Sequence, residues 1–173
     1  VRRRAWVMDH LLTWMWSQFS FASDSSVALL AVGGYGRAEL HPHSDIDVMI
    51  LLEAGDGSHY RDELTTFVTQ LWDFGLDVGQ TVRSLDDCVE QARNDITIAT
   101  NLMEARTICG NPSLCKRMLE STGPQRLWPA KAFFTAKWRE QITRHHKHNN
   151  TEYNLEPDIK NAPGGLRDIH SIG

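Results

Sequence analysis

The chain has 173 residues, of which 41% are hydrophobic and 23% are charged, and its formal net charge is −4. A chain of this length and composition buries one hydrophobic core, with at most a small appendage. A net negative charge with no basic stripe argues against binding nucleic acid through neutralisation of its phosphates. We therefore expect a globular protein that has no nucleic-acid partner.

Two features of the sequence indicate in which cellular compartment the protein is located. No hydrophobic run approaches the roughly 20 residues that cross a membrane, because Asp9, His10 and Gln18 interrupt the most apolar N-terminal stretch. There are three cysteines, Cys88, Cys109 and Cys115. Their odd number and the absence of CxxC spacing indicate buried thiols in a reducing compartment. We expect a cytoplasmic protein that has no membrane partner.

The first predicted element is a helix within residues 1–22. Hydrophobic and aromatic residues recur at helical spacing from Leu11 to Phe19, behind three arginines at residues 2–4. An aromatic stripe of this kind is typical of a helix face that packs on a core. The arginines are interpreted as a solvated helix start and not as a nucleic-acid tail.

Residues 27–53 contain two apolar runs separated by a glycine-rich turn. The run 27–32 is short and continuously apolar, as expected of a buried strand. Gly33 and Gly34 supply the permissive backbone that ends this strand. Backbone N–H groups exposed in such a turn bind phosphate oxygens, so both glycines are predicted to contact a nucleotide.

Two aspartates stand where the second apolar run begins. Because side chains alternate along a strand, Asp45 and Asp47 are expected on one face, with Ile46 directed to the core. Adjacent carboxylates repel each other unless a cation lies between them, and Mg²⁺ is commonly held by one or two carboxylates together with substrate phosphates. We therefore predict a magnesium site at this pair, with the Ser44 hydroxyl on the same phosphate.

A helix and a third strand are predicted next. Hydrophobic residues recur at intervals of three and four within 58–73, and the segment 75–83 alternates as a strand does. Phosphoryl transfer with two metal ions requires a further carboxylate near the attacking hydroxyl, and Asp77 is the candidate. We expect two Mg²⁺ ions, held by Asp45, Asp47 and Asp77.

The following segments are expected to be helical. Ser84 and Asp87 have the spacing of a capping box, which predicts a helix start. Helical periodicity continues over 96–108 and is broken by Gly-Asn-Pro, and a short helix is expected over 112–119. The best candidate for a linker is 121–124.

A long helix is predicted over 131–148, with Phe133, Phe134 and Trp138 on its buried side. Its polar end carries three histidines, His145, His146 and His148. Only the first and third share a helix face, and no cysteine or acidic partner is apparent. We therefore do not expect these histidines to bind a metal.

Two roles are open for Arg37 in the glycine-rich turn. It reaches the triphosphate, where its charge favours departure of pyrophosphate, or it pairs with Glu39 or another acid. His41 and His43 flank a proline in the same loop. They are interpreted as surface or supporting residues, because Mg²⁺ prefers oxygen ligands.

The order of a double glycine, an Asp-x-Asp pair and a later strand carboxylate resembles the nucleotidyltransferase superfamily that includes DNA polymerase beta. The residues that carry it are Gly33, Gly34, Asp45, Asp47 and Asp77. The longer string at 33–47 is similar to the bifunctional uridylyltransferase/uridylyl-removing family of bacterial nitrogen signalling, and the segments 76–83 and 156–170 support this resemblance.

The resemblance implies an α/β (α+β) nucleotidyltransferase fold, a small mixed sheet flanked by helices, with an α-helical extension. The nucleotidyltransferase domain would occupy 1–122, with its catalytic core at 27–110, and a truncated extension would occupy 123–173. In the family, a metal-dependent HD domain removes UMP and ACT domains sense glutamine. Because the sequence has no His-Asp doublet, we expect an N-terminal fragment without uridylyl-removing activity.

The resemblance also implies a reaction. UTP binds with Mg²⁺, a tyrosine hydroxyl of the PII signal protein attacks the α-phosphorus, and pyrophosphate leaves. Lys160 and Arg167, beside the turn at 163–165, would contact phosphate or ribose; the alternative is a loop that packs the helical segment, with Arg167 paired to an acid. The alternatives for activity are adenylyl transfer to glutamine synthetase and a nucleotide-binding regulatory module that catalyses nothing.

Overall fold

The computed structural model describes residues 1–55, 57–147 and 158–170, and four strands form one mixed sheet in this part of the chain. The strands are β1 (Val27–Ala31), β2 (Ile46–Leu52), β3 (Val78–Ser84) and β4 (Arg106–Gly110). Their order across the sheet is β3-β2-β1-β4. β1 is antiparallel to both β2 and β4, and β2 is parallel to β3.

Helices precede, connect and follow the strands. They are α1 (Arg2–Trp16), α2 (Gly33–Gly36), α3 (Arg61–Asp73), α4 (Leu85–Asn94), α5 (Ile96–Met103), α6 (Pro112–Thr122), α7 (Pro124–Leu127), α8 (Ala130–Lys147) and α9 (Leu166–His170). Short 3₁₀ turns lie at Ser20–Ser23 and Ser58–Tyr60. The chain divides into two compact units, Val1–Leu127 and Trp128–Gly173. The predicted fold class, a small mixed sheet with helices and an additional helical segment, is confirmed.

The sheet of the first unit has a hydrophobic layer on each face. On one face, Leu29 and Ile50 pack in a cluster with residues of α1 and α3, including Leu12 and Phe67. On the other face, Leu30, Met49 and Leu51 pack in a cluster with residues of α4, α5 and α6. Every residue of β1 is buried, which explains why this strand reads as a continuous apolar run.

Several predicted elements are confirmed with small changes in their bounds. The expected helix over 58–73 is a 3₁₀ turn followed by α3. The capping box at the start of α4 is present, because the Ser84 hydroxyl accepts a hydrogen bond from the Asp87 N–H and the Asp87 carboxylate accepts one from the Ser84 N–H. Among the described residues, none of the helices is long and apolar enough to span a bilayer.

The prediction of a helix over 96–108 is wrong in its second half. The helix α5 ends at Met103, and the residues after it form β4, antiparallel to β1. The segment Thr107-Ile108-Cys109 contains two β-branched residues, and β1 offers its second edge to them. The candidate linker at 121–124 is also largely helical, because α6 continues to Thr122 and α7 begins at Pro124.

The predicted buried face of the long helix is wrong at two of its three residues, and the third, Phe133, is half-buried. The helix itself is confirmed as α8, but Phe134 is 68% exposed and Trp138 is 53% exposed. The buried residue of α8 is Arg144. Its guanidinium donates hydrogen bonds to the Asn161 carbonyl at 2.9 Å and to Asp168 Oδ1 at 2.7 Å, which satisfies the charge in a buried position.

The acidic partner that sequence analysis did not find for the histidines is Asp168. His145 Nε2 lies 2.9 Å from Asp168 Oδ2, and the same carboxylate accepts a hydrogen bond from the Gly164 N–H. Arg144 and His145 therefore fasten the segment around Asp168 to α8, and the Gly164 N–H closes the turn within that segment. Among residues 1–55, 57–147 and 158–170, no group of three or more His, Cys, Asp or Glu side chains is arranged to hold a metal, and His148 lies outside the described residues.

This cluster predicts a stability change in acid. Burial by itself raises the pKa of Asp168, but the hydrogen bonds from Arg144 and Gly164 and the charges of Arg144 and His145 outweigh it and hold that pKa below its usual value. A lowered folded-state pKa contributes stability above the unfolded-state pKa, which is about 3.9 for aspartate, and that contribution is lost as pH falls through the folded-state pKa.

We expect the hydrogen-exchange protection factor of the Gly164 amide to fall as the pH is lowered from about 3.9 through the folded-state pKa of Asp168. In Asp168→Asn the same amide should be less protected at neutral pH and should show no such acid step; an unchanged acid step would contradict the assignment.

Candidate nucleotide site at the start of β2

The glycine-rich turn lies where β1 stops pairing with β2. The last pairing contact is the hydrogen bond from the Val32 N–H to the Asp47 carbonyl, at 3.0 Å. Gly33 follows with φ of 56°, a left-handed conformation that glycine adopts without strain, and begins the single turn α2. The first N–H groups of a helix have no intrahelical acceptor, and the Val32 side chain does not cap them. The turn therefore presents backbone donors beside the first residues of β2.

The carboxylate of Asp47 lies between two glycines that come from different elements. A Cβ atom built on Gly33 would lie 3.5 Å from Asp47 Oδ2, and one built on Gly79 would lie 2.5 Å from Asp47 Oδ1. The second contact follows from the parallel register of β2 and β3, in which Asp47 is the partner of Gly79. The structure thus brings the glycine-rich turn and the second aspartate of the pair together.

Asp45 and Asp77 lie just before the first residues of β2 and β3. The Ile46 N–H donates a hydrogen bond to the Asp77 carbonyl at 2.8 Å, and Ile46 is the register partner of Val78. Extending this register by one residue places Asp77 beside Asp45. Both aspartates are exposed, whereas Asp47 is half-buried. The two strands therefore bring their acidic ends together, although the three carboxylates do not form a preformed metal cluster in the part of the chain that the structure describes.

The residues present fit a magnesium ion that is shared with a nucleotide. Mg²⁺ takes oxygen ligands, keeps several waters and is usually bound by one or two carboxylates plus substrate phosphates. The aspartates supply such oxygens, and the missing side chain at Gly79 leaves the Asp47 carboxylate room that a Cβ atom would fill. A closed cage made only of protein ligands is not required. The donor set is therefore suited to a metal that arrives with phosphate.

Arg37 is paired with two acids in the structure. Its Nε lies 3.0 Å from Glu39 Oε2, and its Nη1 lies 2.6 Å from Glu104 Oε1. Burial alone would lower the pKa of the Arg37 guanidinium, but its bonds and charge interactions with the two glutamates raise it, so the charge is kept. These contacts support the alternative in which Arg37 pairs with acids and connects the turn to the end of α5. Contact with a triphosphate stays a prediction.

A hydrogen-bond network that was not predicted from the sequence connects the glycine-rich turn to α1 and β4. Arg106 on β4 makes a bidentate contact with the Asp9 carboxylate on α1, at 2.9 and 3.0 Å. The Tyr35 hydroxyl donates to the same carboxylate at 2.7 Å, and the Arg106 guanidinium lies 5.6 Å from the centre of the Tyr35 ring. Burial and the hydrogen bond to Asp9 raise the pKa of Tyr35, so its hydroxyl stays a donor. The signal for this network was Asp9, a charged residue inside an apolar helical stripe.

Arg106 also contacts the backbone of α2 directly. Its Nε lies 3.3 Å from the Gly36 carbonyl, and its Nη2 lies 3.4 Å from the Tyr35 carbonyl. One guanidinium thus donates hydrogen bonds both to the Asp9 carboxylate on α1 and to the last two carbonyls of the turn. The planar fork of arginine is required for this arrangement, since the ammonium group of lysine presents a single point charge.

Arg106→Lys is therefore expected to lower the free energy of unfolding by about 1–3 kcal/mol, because part-buried acceptors on Asp9 and Gly36 lose their donors. It should also reduce any activity that depends on the position of the turn. Urea unfolding measures the first effect. Arg117→Lys is the matched control, because Arg117 pairs with Glu53 at a site where both side chains are about half exposed, and exposed pairs contribute about 0–1 kcal/mol. Equal losses for the two variants would contradict the role of Arg106.

The loop between the turn and β2 is fixed at its base. The Ser44 N–H donates to the His41 carbonyl at 3.1 Å, and the guanidinium of Arg4 donates to that carbonyl as well. Arg4, interpreted from sequence as part of a solvated helix start, therefore has a structural role. His41 and His43 are exposed, in agreement with their interpretation as surface residues.

The chain has known relatives that match nearly its whole length. It is 57% identical over 172 residues to the bifunctional uridylyltransferase/uridylyl-removing enzyme of Pseudomonas putida (strain GB-1), which is 99% of this chain and 19% of that protein. Proteins with the same name from Pseudomonas fluorescens (strain SBW25) and Pseudomonas syringae pv. tomato (strain ATCC BAA-871 / DC3000) are 57% and 56% identical over the same span. A family model described as GlnD PII-uridylyltransferase matches residues 132–173.

The chain is homologous to a part of the bifunctional uridylyltransferase/uridylyl-removing enzymes. The resemblance stated from the sequence is thereby confirmed. The chain spans about a fifth, 19%, of the length of the curated relatives that it matches. The activities in the names of those enzymes are therefore properties of much longer proteins.

Two predicted site residues of the chain lie in its second unit. Lys160 and Arg167 are both exposed, and the Arg167 N–H donates a hydrogen bond to the Lys160 carbonyl at 3.1 Å. The Leu166 N–H donates to the Ile159 carbonyl at 2.9 Å, so the glycine-containing turn between them is closed at its base. Their contact with a phosphate or ribose stays a prediction.

Proposed function

We propose that the chain catalyses transfer of UMP from UTP to a tyrosine of the PII signal protein, with release of pyrophosphate. The observation that carries this proposal is the position of the Asp47 carboxylate between Gly33 of the phosphate-binding turn and Gly79 of the neighbouring strand. Identity of 57% to a bifunctional uridylyltransferase/uridylyl-removing enzyme along nearly the whole chain supports the choice of nucleotide. The match of residues 132–173 to a family model described as GlnD PII-uridylyltransferase supports the choice of acceptor. The three free cysteines, of which two are buried, support the expected cytoplasmic location.

In this proposal, Asp45 and Asp47 hold two Mg²⁺ ions together with phosphate oxygens, and Asp77 is a ligand of the ion nearest the attacking hydroxyl. When bound, Mg²⁺ polarises the phosphoryl oxygens and neutralises charge on the departing pyrophosphate. The positions of Asp45, Asp47 and Asp77 at the starts of two neighbouring parallel strands support this division of roles, since strands in this register begin at the same edge of the sheet.

The remaining residues bind and orient the substrates. Backbone N–H groups of Gly33 and Gly34 and the hydroxyl of Ser44 hold the triphosphate, so that its α-phosphorus faces the acceptor. Asp77 accepts the proton of the tyrosine hydroxyl as the new O–P bond forms and the bond to pyrophosphate breaks. Lys160 and Arg167 supply additional positive charge to phosphate or ribose in this proposal, and Arg37 holds the turn through Glu39 and Glu104.

Pyrophosphate release by the chain tests the proposal. It is measured with Mg²⁺, UTP and purified PII, and in parallel with ATP and with glutamine synthetase as the acceptor. Release that requires both UTP and PII is the expected result. Release with ATP and glutamine synthetase would replace the proposal by adenylyl transfer, and tight binding of the magnesium nucleotide without release under any condition would identify a non-catalytic regulatory module.

A further inference from the structure

Gly79 occupies a strand position that does not require the conformational freedom of glycine. Its φ angle lies outside the left-handed region, in contrast to Gly33, Gly75 and Gly110. It is on β3, which is an edge strand among the described residues, and it is exposed. Glycine weakens a strand, because its unfolded backbone is more flexible and it has no side chain to pack. Backbone geometry and packing therefore do not explain a glycine at this position.

What does require glycine at this position is the approach of Asp47. A Cβ atom on Gly79 would lie 2.5 Å from Asp47 Oδ1 and 3.7 Å from its Cγ. Observed Cβ atoms essentially never make contacts as short as the first of these. The Asp47 carboxylate thus lies over the backbone of β3 in space that any side chain at position 79 would fill.

We propose that Gly79 is a positioning residue for the magnesium site. The missing side chain lets the Asp47 carboxylate turn toward β3, with one oxygen over Gly79 and the other facing Gly33 of the phosphate-binding turn. In this orientation the carboxylate lies between the glycine-rich turn and β3, the strand that Asp77 immediately precedes. The inference rests on the proposed function, since it assigns a cause to the geometry of the same site.

The proposal predicts a local effect for Gly79→Ala. The atom that the new methyl group meets is the end of a short side chain, so the Asp47 carboxylate rotates away and the backbone stays in place. The thermal midpoint should therefore be unchanged or raised, because alanine restricts the unfolded chain. Divalent-cation affinity should fall by about tenfold to a hundredfold, the usual effect of disturbing residues that orient a metal ligand.

The test measures Mn²⁺ binding by electron paramagnetic resonance, with UTP present, for the 173-residue chain and four variants: Gly79→Ala, Asp47→Asn, the double variant and Thr81→Ala. Thr81 is two residues farther along the same face of β3 and also exposed, so its variant is the matched control for a change in this edge strand. We expect weaker binding in Gly79→Ala, unchanged binding in Thr81→Ala, and no further loss when Gly79→Ala is added to Asp47→Asn. Pyrophosphate release by Gly79→Ala should recover at higher Mg²⁺ concentration.

The outcomes separate this inference from the function on which it rests. Binding by Gly79→Ala equal to that of the unchanged chain, with loss in Asp47→Asn, would overturn the role of Gly79 and leave the proposed function standing. Losses that multiply in the double variant would also overturn it, because Gly79 would then act independently of Asp47. A Gly79→Ala chain that does not fold would contradict the local effect. If neither the unchanged chain nor Asp47→Asn bound Mn²⁺, the proposed function itself would fail.

Discussion

Asp47→Asn is expected to lower pyrophosphate release by roughly a thousandfold, since a bound metal supplies several kcal/mol of transition-state stabilisation and each 1.36 kcal/mol is a factor of ten. Asparagine has nearly the same size as aspartate, so the fit between Gly33 and Gly79 is kept while the charge that holds Mg²⁺ is removed. The free energy of unfolding should change little, because Asp47 is half-buried near the start of β2 and lies outside both hydrophobic clusters. Release of pyrophosphate and thermal unfolding are measured on the same preparation.

Glu53→Gln is the matched control for this variant. It removes one carboxylate just beyond the opposite end of β2, where Glu53 pairs with Arg117 and is about half exposed. Its pyrophosphate release should equal that of the unchanged chain, and its stability should fall by no more than about 1 kcal/mol. Normal turnover by a folded Asp47→Asn chain would remove Asp47 from the metal site.

Phe67→Ala is expected to have the largest effect on stability. Phe67 on α3 is fully buried, and its ring makes edge-to-face contacts with Trp16 and Phe19 at centroid distances of 5.4 and 5.7 Å. Truncation of a buried phenylalanine costs about 3–5 kcal/mol, through lost transfer energy and the cavity that remains. For a domain of this size that is a large part of the total stability, which is typically about 5–15 kcal/mol. Urea unfolding followed by circular dichroism measures the loss.

Phe74→Ala is the control for this truncation. Phe74 lies immediately after α3 and is 60% exposed, so the same change in side chain removes little buried surface. Its unfolding free energy should stay within about 0.5 kcal/mol of the unchanged chain. Similar losses for the two variants would mean that the aromatic cluster around Phe67 does not carry the stability of the first unit.

The elements that could be predicted from sequence are those whose signals are local. The apolar run of β1, the periodicity of α3 and the capping box at Ser84 depend on residues that are close in the sequence. The start of β2 beside the Asp-x-Asp pair was predicted in the same way, from the apolar run that follows the pair. That both carboxylates lie on one face stays a prediction. The predictions of these elements agree with the structure because the packing of neighbouring elements favours the same secondary structure as the local sequence does.

The parts that could not be predicted depend on which segments meet in space. The residues of β4 follow α5 without a break in hydrophobic pattern, and the strand exists because β1 has a second edge to pair with. The partner of His145 is 23 residues away in the chain, and the contact between Gly79 and Asp47 follows from the register of two strands. The aromatic residues of α8 show the same limit. Periodicity predicts that hydrophobic residues share one face of a helix, but it does not show whether another element packs on that face.

The network of Asp9, Tyr35 and Arg106 has a consequence for the order in which the site is assembled. Asp9 and Arg106 are 97 residues apart, and the carbonyls of the glycine-rich turn are held by the later residue. A ribosome releases the first helix and the turn well before β4, and closing so long a loop carries an entropic cost that local contacts cannot offset. During synthesis the turn therefore gains its final hold only after β4 has emerged and paired with β1. A nascent chain that has not reached Arg106 carries both glycines and all three aspartates, yet it lacks the contacts that Arg106 makes with Asp9 and with the carbonyls of the turn.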